Sequence, residues 1–337
     1  MCAFLPPGKL PLDMLSGLLR ECTAEDERIL VGPQVGEDAA VIDFGGACLV
    51  VKTDPITFAT DEIGHYAVHV NANDIATMGA VPRWFLATLL LPEGRTSETL
   101  VRTIFDSLQH AAGKIGVSLC GGHTEITAGL DRPIVVGQML GEVSRERLVR
   151  SSGLQAGDRI LLTRGLGIEA TAILAREKEA ELRDRGFDAA LLKTAREYLH
   201  TPGISILEEA RIACETAPVH AMHDPTEGGV ATALRELAAA SDCGLSVEAD
   251  ALFASEETRL LCDAFQLDPL GVISSGALLI GVATENADRV RDAIQAAGIP
   301  CEIVARVEPP EFGLKLRIND TDRDLPEFDR DEIGKIF

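Results

Sequence analysis

The sequence predicts an α/β protein with two domains of similar size, and three observations lead to this prediction. The chain has 337 residues, which is more than one hydrophobic core usually organises. Segments with strand-like and helix-like periodicity alternate along its whole length, without a long linker or an internal repeat. Charged, serine and glycine residues cluster over residues 144–157. We therefore expect one domain over residues 1–150 and a second over residues 151–337.

The elements of the first domain follow from local patterns. A short amphipathic helix is predicted over Leu12–Glu21, and a hairpin over residues 39–43 and 47–53, around the turn Phe44-Gly45-Gly46. A long helix over residues 62–78 would end at Gly79, and a second is predicted over residues 97–115. Further strands are expected at residues 84–91, 117–120 and 134–143.

The second domain opens with a predicted strand over Arg159–Thr163. Helices are expected over residues 169–179, 189–198, 204–215 and 229–240. Two strands, over residues 277–282 and 301–307, would flank a further helix over residues 287–297. This alternation is typical of a second α/β domain.

Composition excludes several classes of function. Lys and Arg number 31 and Asp and Glu number 53, so the net charge is −22. Such an excess repels nucleic acid and anionic lipid, and it suits a protein that uses cations to hold a polyanionic ligand. No apolar run approaches the roughly 20 residues of a membrane helix. Pro6, Pro7 and Gly8 lie where a signal peptide would carry its apolar core. We therefore expect a cytoplasmic protein.

The eight cysteines form no Cys-x-x-Cys pair, so no zinc ribbon or thioredoxin site is indicated.

Five short segments carry acidic or amide side chains, and in four of them these are combined with glycine. They are residues 36–41, 52–55, 71–80, 121–125 and 223–230. Together they offer oxygen ligands for a hard cation and glycines that let backbone N–H groups approach an anion. A nucleotide phosphate held by Mg²⁺ needs this combination. No Walker A sequence occurs, so an ATP site here is not a P-loop.

Two aspartates in these segments leave alternatives open. Asp74 lies in a predicted helix among apolar neighbours, where an unpaired carboxylate is costly, so it either binds a metal ion or pairs with a backbone or arginine donor. Asp224 either caps a helix that starts near Thr226 or joins the site. Gly228 and Gly229 in that first turn favour close approach by a ligand, because helix N-termini attract phosphate.

The histidines divide into two groups. His65 and His69 are four residues apart on one predicted helix, but no His-Glu-x-x-His sequence surrounds them, so surface or packing roles are favoured. His123 and His223 lie inside the glycine-acid segments and are candidates for the site. The acidic pattern at residues 320–324 has Leu325 at the position where a calcium loop needs glycine, which favours a solvated acidic segment.

Taken in order, the five segments resemble the aminoimidazole ribonucleotide (AIR) synthetase superfamily over nearly the whole chain. This group includes the purine synthetase, thiamine-monophosphate kinase, selenophosphate synthetase and the hydrogenase-maturation protein HypE. Asn73-Asp74 followed by Met78-Gly79-Ala80-x-Pro82 carries the resemblance most strongly. Asp224-Pro225-Thr226-x-Gly228-Gly229 and the segment over residues 274–279 are most similar to the HypE-like branch of AIR synthase-related proteins.

The resemblance implies an AIR-synthase-like fold, a homodimer whose N-terminal domains form a shared β-barrel, and ATP with Mg²⁺ in a cleft between the N- and C-terminal domains. It implies that Asp38, Asp54, Asp74 and Asp224 are Mg²⁺ ligands. Among these Asp74 and Asp224, together with His123, are the catalytic candidates. The residues implied to hold the nucleotide and its phosphates are Thr53, Asn73, Gly121, Gly122, Thr124, Gly228 and Gly229.

The function implied is ATP-dependent phosphorylation of an amide-like or other acceptor oxygen. In HypE a C-terminal cysteine carries the carbamoyl group. This chain ends in Gly334-Lys335-Ile336-Phe337 and its last cysteine is Cys301, so we do not expect self-carbamoylation. His123 replaces an acidic residue of HypE, so one metal ligand is either lost or moved to Glu125. The alternatives are a small-molecule kinase like thiamine-monophosphate kinase and a non-catalytic nucleotide-binding partner of maturation proteins. The sequence does not name the acceptor.

Overall fold

A computed structural model describes residues 10, 12–21, 26–33, 37–57 and 62–337. Gly36, Cys2 and Cys22, which the sequence analysis considered, lie outside the described residues. The chain forms two compact units. The N-terminal unit comprises residues 28–31 and 38–148, and the C-terminal unit comprises residues 149–337 with the described residues of 1–27 and 32–37. The first helix, α1 (Leu12–Glu21), has the predicted bounds.

The N-terminal unit is built on a six-stranded sheet with two helices. The strands are β1 (Ile29–Val31), β2 (Ala40–Asp43), β3 (Cys48–Ile56), β4 (Val81–Pro92), β5 (Ser118–Thr127) and β6 (Ile134–Val143). Their order is β1-β2-β3-β6-β4-β5, and neighbours are antiparallel except for the parallel pair β4 and β5. The helices are α2 (Ile63–Thr77) and α3 (Glu98–Lys114).

Helix α2 determines where the polar side chains of this unit lie. It packs against β3, β4, β6 and α3, and 13 of its 15 residues are buried, which is unusual for a helix with polar side chains. Asn71, Asn73 and Asp74 are among the buried ones. Helix α3 is half exposed and begins at Ser97, whose hydroxyl accepts a hydrogen bond from the Leu100 N–H at 3.1 Å.

The C-terminal unit is built on a seven-stranded sheet. Its strands are β7 (Arg159–Thr163), β8 (Val219–His223), β9 (Gly244–Glu248), β10 (Leu279–Val282), β11 (Cys301–Glu308), β12 (Leu314–Ile318) and β13 (Thr321–Asp324). Their order is β13-β12-β9-β11-β7-β10-β8, and only β12 and β9 pair in parallel. The helices are α4 (Ile168–Glu177), α5 (Glu179–Asp184), α6 (Ala189–Arg196), α7 (Leu207–Thr216), α8 (Gly229–Ser241), α9 (Glu256–Phe265) and α10 (Thr284–Ala296).

Two apolar clusters form the core of this unit. One joins the sheet to α8, through residues such as Ile160, Leu234 and Val304. The other joins α4, α6 and α9, through residues such as Leu174 and Leu261. Among the described helices, none is long and apolar enough to cross a lipid bilayer.

The predicted α/β class is confirmed, and the largest local error concerns β5. The predicted strand ended at residue 120, but β5 continues to Thr127 and includes Gly121 and Gly122. Gly122 has φ of 145° and allows β4 to approach, since a Cβ at this position would lie 2.0 Å from the carbonyl oxygen of Ala87.

Other differences are smaller. The helix expected over residues 204–215 begins at Leu207, and strands β1, β8, β9, β12 and β13 and helices α5 and α9 were not predicted. The acidic pattern near the end lies on β13, where Asp322 and Asp324 pair with Arg317 and Lys315 of β12.

Candidate functional site

Three predicted metal ligands of the N-terminal unit surround one lysine. Lys52 Nζ lies 3.1 Å from Oδ2 of Asp74 and 3.7 Å from Oδ2 of Asp54. Lys52 and Asp54 are two residues apart on β3 and therefore project from the same face of the strand. Burial works to lower the pKa of the Lys52 ammonium, but the charges of Asp74, Asp54 and Asp38 outweigh it and raise this pKa above its usual value. The lysine is therefore a fixed cation.

The same site contains a buried amide oxygen. Asn71 lies three residues before Asp74, on the same face of α2. Its Nδ2 donates to the carbonyl oxygens of Ala67 at 2.9 Å and Asp54 at 3.3 Å. Its Oδ1 is buried and has no hydrogen-bond partner among the described residues. Carboxylate and amide oxygens are the donors that Mg²⁺ prefers, so this donor set fits the metal ion that the sequence implies.

Two predicted nucleotide-binding residues lie beside these carboxylates in sequence. Asn73 is fully buried in α2. Thr53 is exposed on β3, between Lys52 and Asp54, and its hydroxyl donates to the carbonyl oxygen of Gly137 on β6 at 2.9 Å. Thr53 therefore points to the opposite face of the strand from Lys52 and Asp54.

The candidates of the fourth segment lie together on β5. Gly121, Gly122, His123 and Thr124 are all exposed. His123 Nε2 lies 3.2 Å from Oε2 of Glu125, on the same face of the strand. The histidine and the glutamate that the sequence offered as alternative ligands are thus in contact with each other.

The fifth segment lies in the C-terminal unit, where β8 ends. Asp224 follows His223 directly and is 2% exposed. His223 Nε2 contacts Oε2 of Glu236 on α8 at 2.9 Å, which explains how this histidine is tolerated in a buried position. Helix α8 begins at Gly229, after Gly228. The alternative in which Asp224 caps a helix near Thr226 does not match this start.

The glycines before α8 are required by the protein's own packing. Both have positive φ, 81° at Gly228 and 66° at Gly229. A Cβ on Gly229 would lie 2.5 Å from the carbonyl oxygen of Leu270. The Gly228 N–H donates to Oδ2 of Asp331 at 2.8 Å. A carboxylate from a distant segment therefore occupies a donor that the sequence analysis assigned to phosphate.

A buried carboxyl group that the sequence analysis did not single out lies in the first turn of α4. Glu169 is 6% exposed, and its Oε2 has no hydrogen-bond partner of normal geometry among the described residues. Burial raises the pKa of Glu169 to about 7. Ser275 opposes this shift by hydrogen bonding, and the charges of Asp331, Glu227 and Asp224 add to it.

Sequence reasoning therefore found the carboxylates but missed their partners. The available signal was the Lys-x-Asp spacing of Lys52 and Asp54 at the end of the strand predicted over residues 47–53, because continuation of that strand by one residue places both side chains on one face. Asp331 could not be found in this way, since 103 residues separate it from Gly228. The rings of His65 and His69 pack against each other with centroids 4.3 Å apart and planes tilted by 54°.

Together, the mixed sheets and the carboxylates around Lys52 define a two-unit α/β protein with a cluster of oxygen-bearing side chains in its N-terminal unit. The family "AIR synthase related protein" matches in two parts, its N-terminal domain over residues 36–143 and its C-terminal domain over residues 155–316. The chain belongs to this AIR synthase related family, and its resemblance to the HypE-like branch is confirmed by its relatives.

Two relatives illustrate the similarity. A protein of Methanocaldococcus jannaschii named for hydrogenase expression/formation is 32% identical over 264 residues, which are 77% of this chain and 75% of that protein. Carbamoyl dehydratase HypE of Rhizobium leguminosarum bv. viciae is 30% identical over 276 residues, which are 80% of this chain and 75% of that protein.

Solved structures share the fold at lower sequence identity. HypE in complex with ATP aligns with a TM-score of 0.70 at 22% identity, covering 95% of this chain and 92% of that one. A chain of the HypE-HypF complex aligns with a TM-score of 0.72 at 22% identity, covering 93% of this chain and 99% of that one. The thiamine monophosphate kinase AaThiL, complexed with AMPPCP and TMP, aligns with a TM-score of 0.73 at 18% identity, covering 96% and 99%.

Proposed function

We propose that this protein is an ATP-binding, Mg²⁺-dependent enzyme of the HypE-like branch that phosphorylates an amide-like or other acceptor oxygen. One observation carries the proposal: the charges of Asp38, Asp54 and Asp74 act on one lysine in a strongly acidic chain, and the Oδ1 of Asn71, on the same face of α2 as Asp74, is buried without a hydrogen-bond partner among the described residues. Two comparisons support the proposal: relatives are named carbamoyl dehydratase, and a structure of HypE in complex with ATP shares the fold.

Each group of site residues has a distinct proposed role. Bound Mg²⁺ supplies positive charge that neutralises the polyphosphate, which is the main requirement of phosphoryl transfer. The residues that would hold it are Asp38, Asp54, Asp74 and Asp224. The residues that would bind and orient the nucleotide are Thr53, Asn73, Gly121, Gly122, Thr124, Gly228 and Gly229. His123 would act as a catalytic group beside them. We also propose that residues 1–150 and 151–337 are the functional domains.

The acceptor is proposed to be a separate molecule. Cys301 lies on β11 and is 1% exposed, and burial raises the pKa of its thiol to about 12. A buried and protonated thiol is a poor nucleophile. Cys262 is buried as well, and burial likewise raises the pKa of its thiol to about 12. Neither thiol is suited to carry a carbamoyl group.

ATP turnover with different acceptors tests the proposal. Purified protein with ATP and Mg²⁺ would be given a peptide thiocarbamate, which presents a carboxamide oxygen, or thiamine monophosphate, with release of ADP followed in both cases. We expect the carboxamide to stimulate turnover. Formation of thiamine diphosphate would instead show a small-molecule kinase. Nucleotide binding without turnover on any acceptor would favour a non-catalytic maturation partner.

We further propose that the protein is a cytoplasmic homodimer that also contacts maturation-protein partners. Among the described strands, β5 pairs only with β4, so its other edge presents unpaired backbone groups over ten residues. The exposed side chain of Ile126 lies on this strand. A second copy that adds its own β5 here would satisfy these groups and build the shared barrel that the resemblance implies. The HypE-HypF complex supports a maturation partner.

A further inference from the structure

The position of Lys52 has a consequence for metal binding. A lysine whose side chain is 23% exposed stands among carboxylates that would bind Mg²⁺. Its ammonium is 3.1 Å from Asp74, whose side chain is 7% exposed, and 3.7 Å from Asp54. Asp38 adds a third negative charge nearby. In this state two of the metal ligands are already paired with a cation.

A divalent cation that enters alone faces two costs. It has to break the contact between Lys52 and Asp74, which lie in a mostly buried setting where charge pairs are costly to separate. It then remains close to the displaced ammonium, and like charges at a few ångströms repel strongly where water is scarce. Metal binding in the absence of another anion is therefore disfavoured.

A polyphosphate removes both costs. Its oxygens give the Lys52 ammonium a new anionic partner, since lysine binds phosphate as a point charge. Asp54 and Asp74 are then free to bind the metal ion. The nucleotide also adds negative charge, which further attracts the cation. Metal and nucleotide are then expected to bind with positive coupling.

We propose that Lys52 is an internal counter-ion that keeps Asp54 and Asp74 from binding a divalent cation until the phosphates of a nucleoside triphosphate pair with the Lys52 ammonium. This inference rests on the proposed function in one respect, which is that the nucleotide binds at this site. A purely structural ion pair differs in what it predicts, because removal of the lysine would then destabilise the fold without improving metal affinity.

Mn²⁺ binding without activity tests this role. Free Mn²⁺ would be measured by its electron paramagnetic resonance signal in titrations of the unaltered protein, Lys52→Gln and Lys52→Arg, with and without a non-hydrolysable ATP analogue. Without nucleotide, Lys52→Gln should bind Mn²⁺ at least about tenfold more tightly than the unaltered protein, which is about 1.4 kcal/mol. Lys52→Arg keeps the charge and should resemble the unaltered protein. The analogue should tighten Mn²⁺ binding by at least about tenfold in the unaltered protein and by much less in Lys52→Gln.

Two further measurements keep the proposal testable if Lys52→Gln does not fold. The double variant Lys52→Gln/Asp74→Asn loses one ammonium and one carboxylate together, and it should lose the tighter metal binding of Lys52→Gln. The coupling can also be measured in the unaltered protein, where folding is not in question. An Mn²⁺ affinity of the unaltered protein that does not change when nucleotide is added contradicts the coupling. Unchanged metal affinity in a folded Lys52→Gln that still binds nucleotide overturns the role of Lys52 alone. Absence of any nucleotide binding by the unaltered protein overturns the proposed function as well.

Discussion

Lys52 Nζ and Asp74 Oδ2 are 3.1 Å apart, and this ion pair joins β3 to the buried helix α2. It resolves how a carboxylate is accommodated in a helix whose neighbouring residues are apolar. Of the two alternatives left by the sequence, pairing with a donor is present in this state, with lysine in place of the expected backbone or arginine donor. The pair also places the carboxylate where a metal ligand is proposed, so the two roles are compatible.

Asp74→Asn is expected to reduce ATP turnover by at least about 100-fold while the protein remains folded. The substitution removes one charge at nearly constant volume. Lys52 keeps Asp54 as a partner, so the free energy of unfolding should fall by only about 1–3 kcal/mol. Steady-state ATP hydrolysis and urea denaturation measure the two effects.

Asp106→Asn provides the matched control. Asp106 is exposed on α3, and the same chemical change there should alter stability by less than about 0.5 kcal/mol and leave turnover unchanged. ATPase activity of Asp74→Asn close to that of this control would leave Asp74 with a structural role only.

The buried carboxyl of Glu169 should make stability depend on pH. Its pKa of about 7 in the folded protein lies above the ordinary value of 4.5, so the folded state binds more protons than the unfolded state between these values. Its contribution is therefore fully present below pH 4.5 and is lost as pH rises through 7. Glu169→Gln should remove this loss, which is on the order of 3 kcal/mol.

Urea denaturation at pH 5 and pH 8 checks this expectation. The variant should gain stability relative to the unaltered protein on going to pH 8. Glu177→Gln, at the exposed end of the same helix, should show no such gain. An identical pH dependence in all three proteins would mean that Glu169 is ionised in the folded state throughout this range.

The sequence predicted elements well where one pattern dominated. Helix α2 and the hairpin of β2 and β3 have clear periodicity and glycine boundaries, and the structure confirms them. Strand β5 was predicted too short, because the use of Gly121 and Gly122 depends on the approach of β4.

The sequence indicated which types of residue form the site, but not which of them pair with one another. Asp54 and Asp74 were identified as ligands through the family resemblance, and Asp74 also because a buried carboxylate among apolar helix residues needs a partner. Lys52 was not, since a charged residue on a strand is ordinarily solvated and only the position of α2 shows that it is enclosed. Glu169 was not identified although Gly165 and Gly167 precede it, because its burial depends on the packing of α4 against α6 and α9.

The exposed edge of β5 leads to a prediction about assembly. Sedimentation at micromolar concentration should give about twice the chain mass of 36.0 kDa. Ile126→Lys places a charge on the proposed interface, where Ile126 is 60% exposed, and should shift the protein towards the monomer. Phe105→Lys, at an exposed position on α3, should not. A monomer in the unaltered protein would refute the proposed dimer.

The cysteines should not carry the reacting group. After incubation with a carbamoyl-transfer partner, carbamoyl phosphate and ATP, intact mass measurement should detect no adduct on the protein. Iodoacetamide applied to the native protein should label the exposed Cys120 and spare the buried Cys301. A carbamoyl adduct on Cys301 or another cysteine that is dehydrated on addition of ATP would show that the acceptor belongs to the protein itself.

Calorimetry of ATP binding with and without a divalent cation tests the central claim most directly. The proposed site holds a polyanion through carboxylate-bound metal in a chain of net charge −22, so ATP alone is repelled and Mg²⁺ is required. We predict measurable binding heat with Mg²⁺ and weak or no binding in EDTA. Tight binding of ATP in EDTA would contradict the proposed role of Asp38, Asp54, Asp74 and Asp224 as ligands.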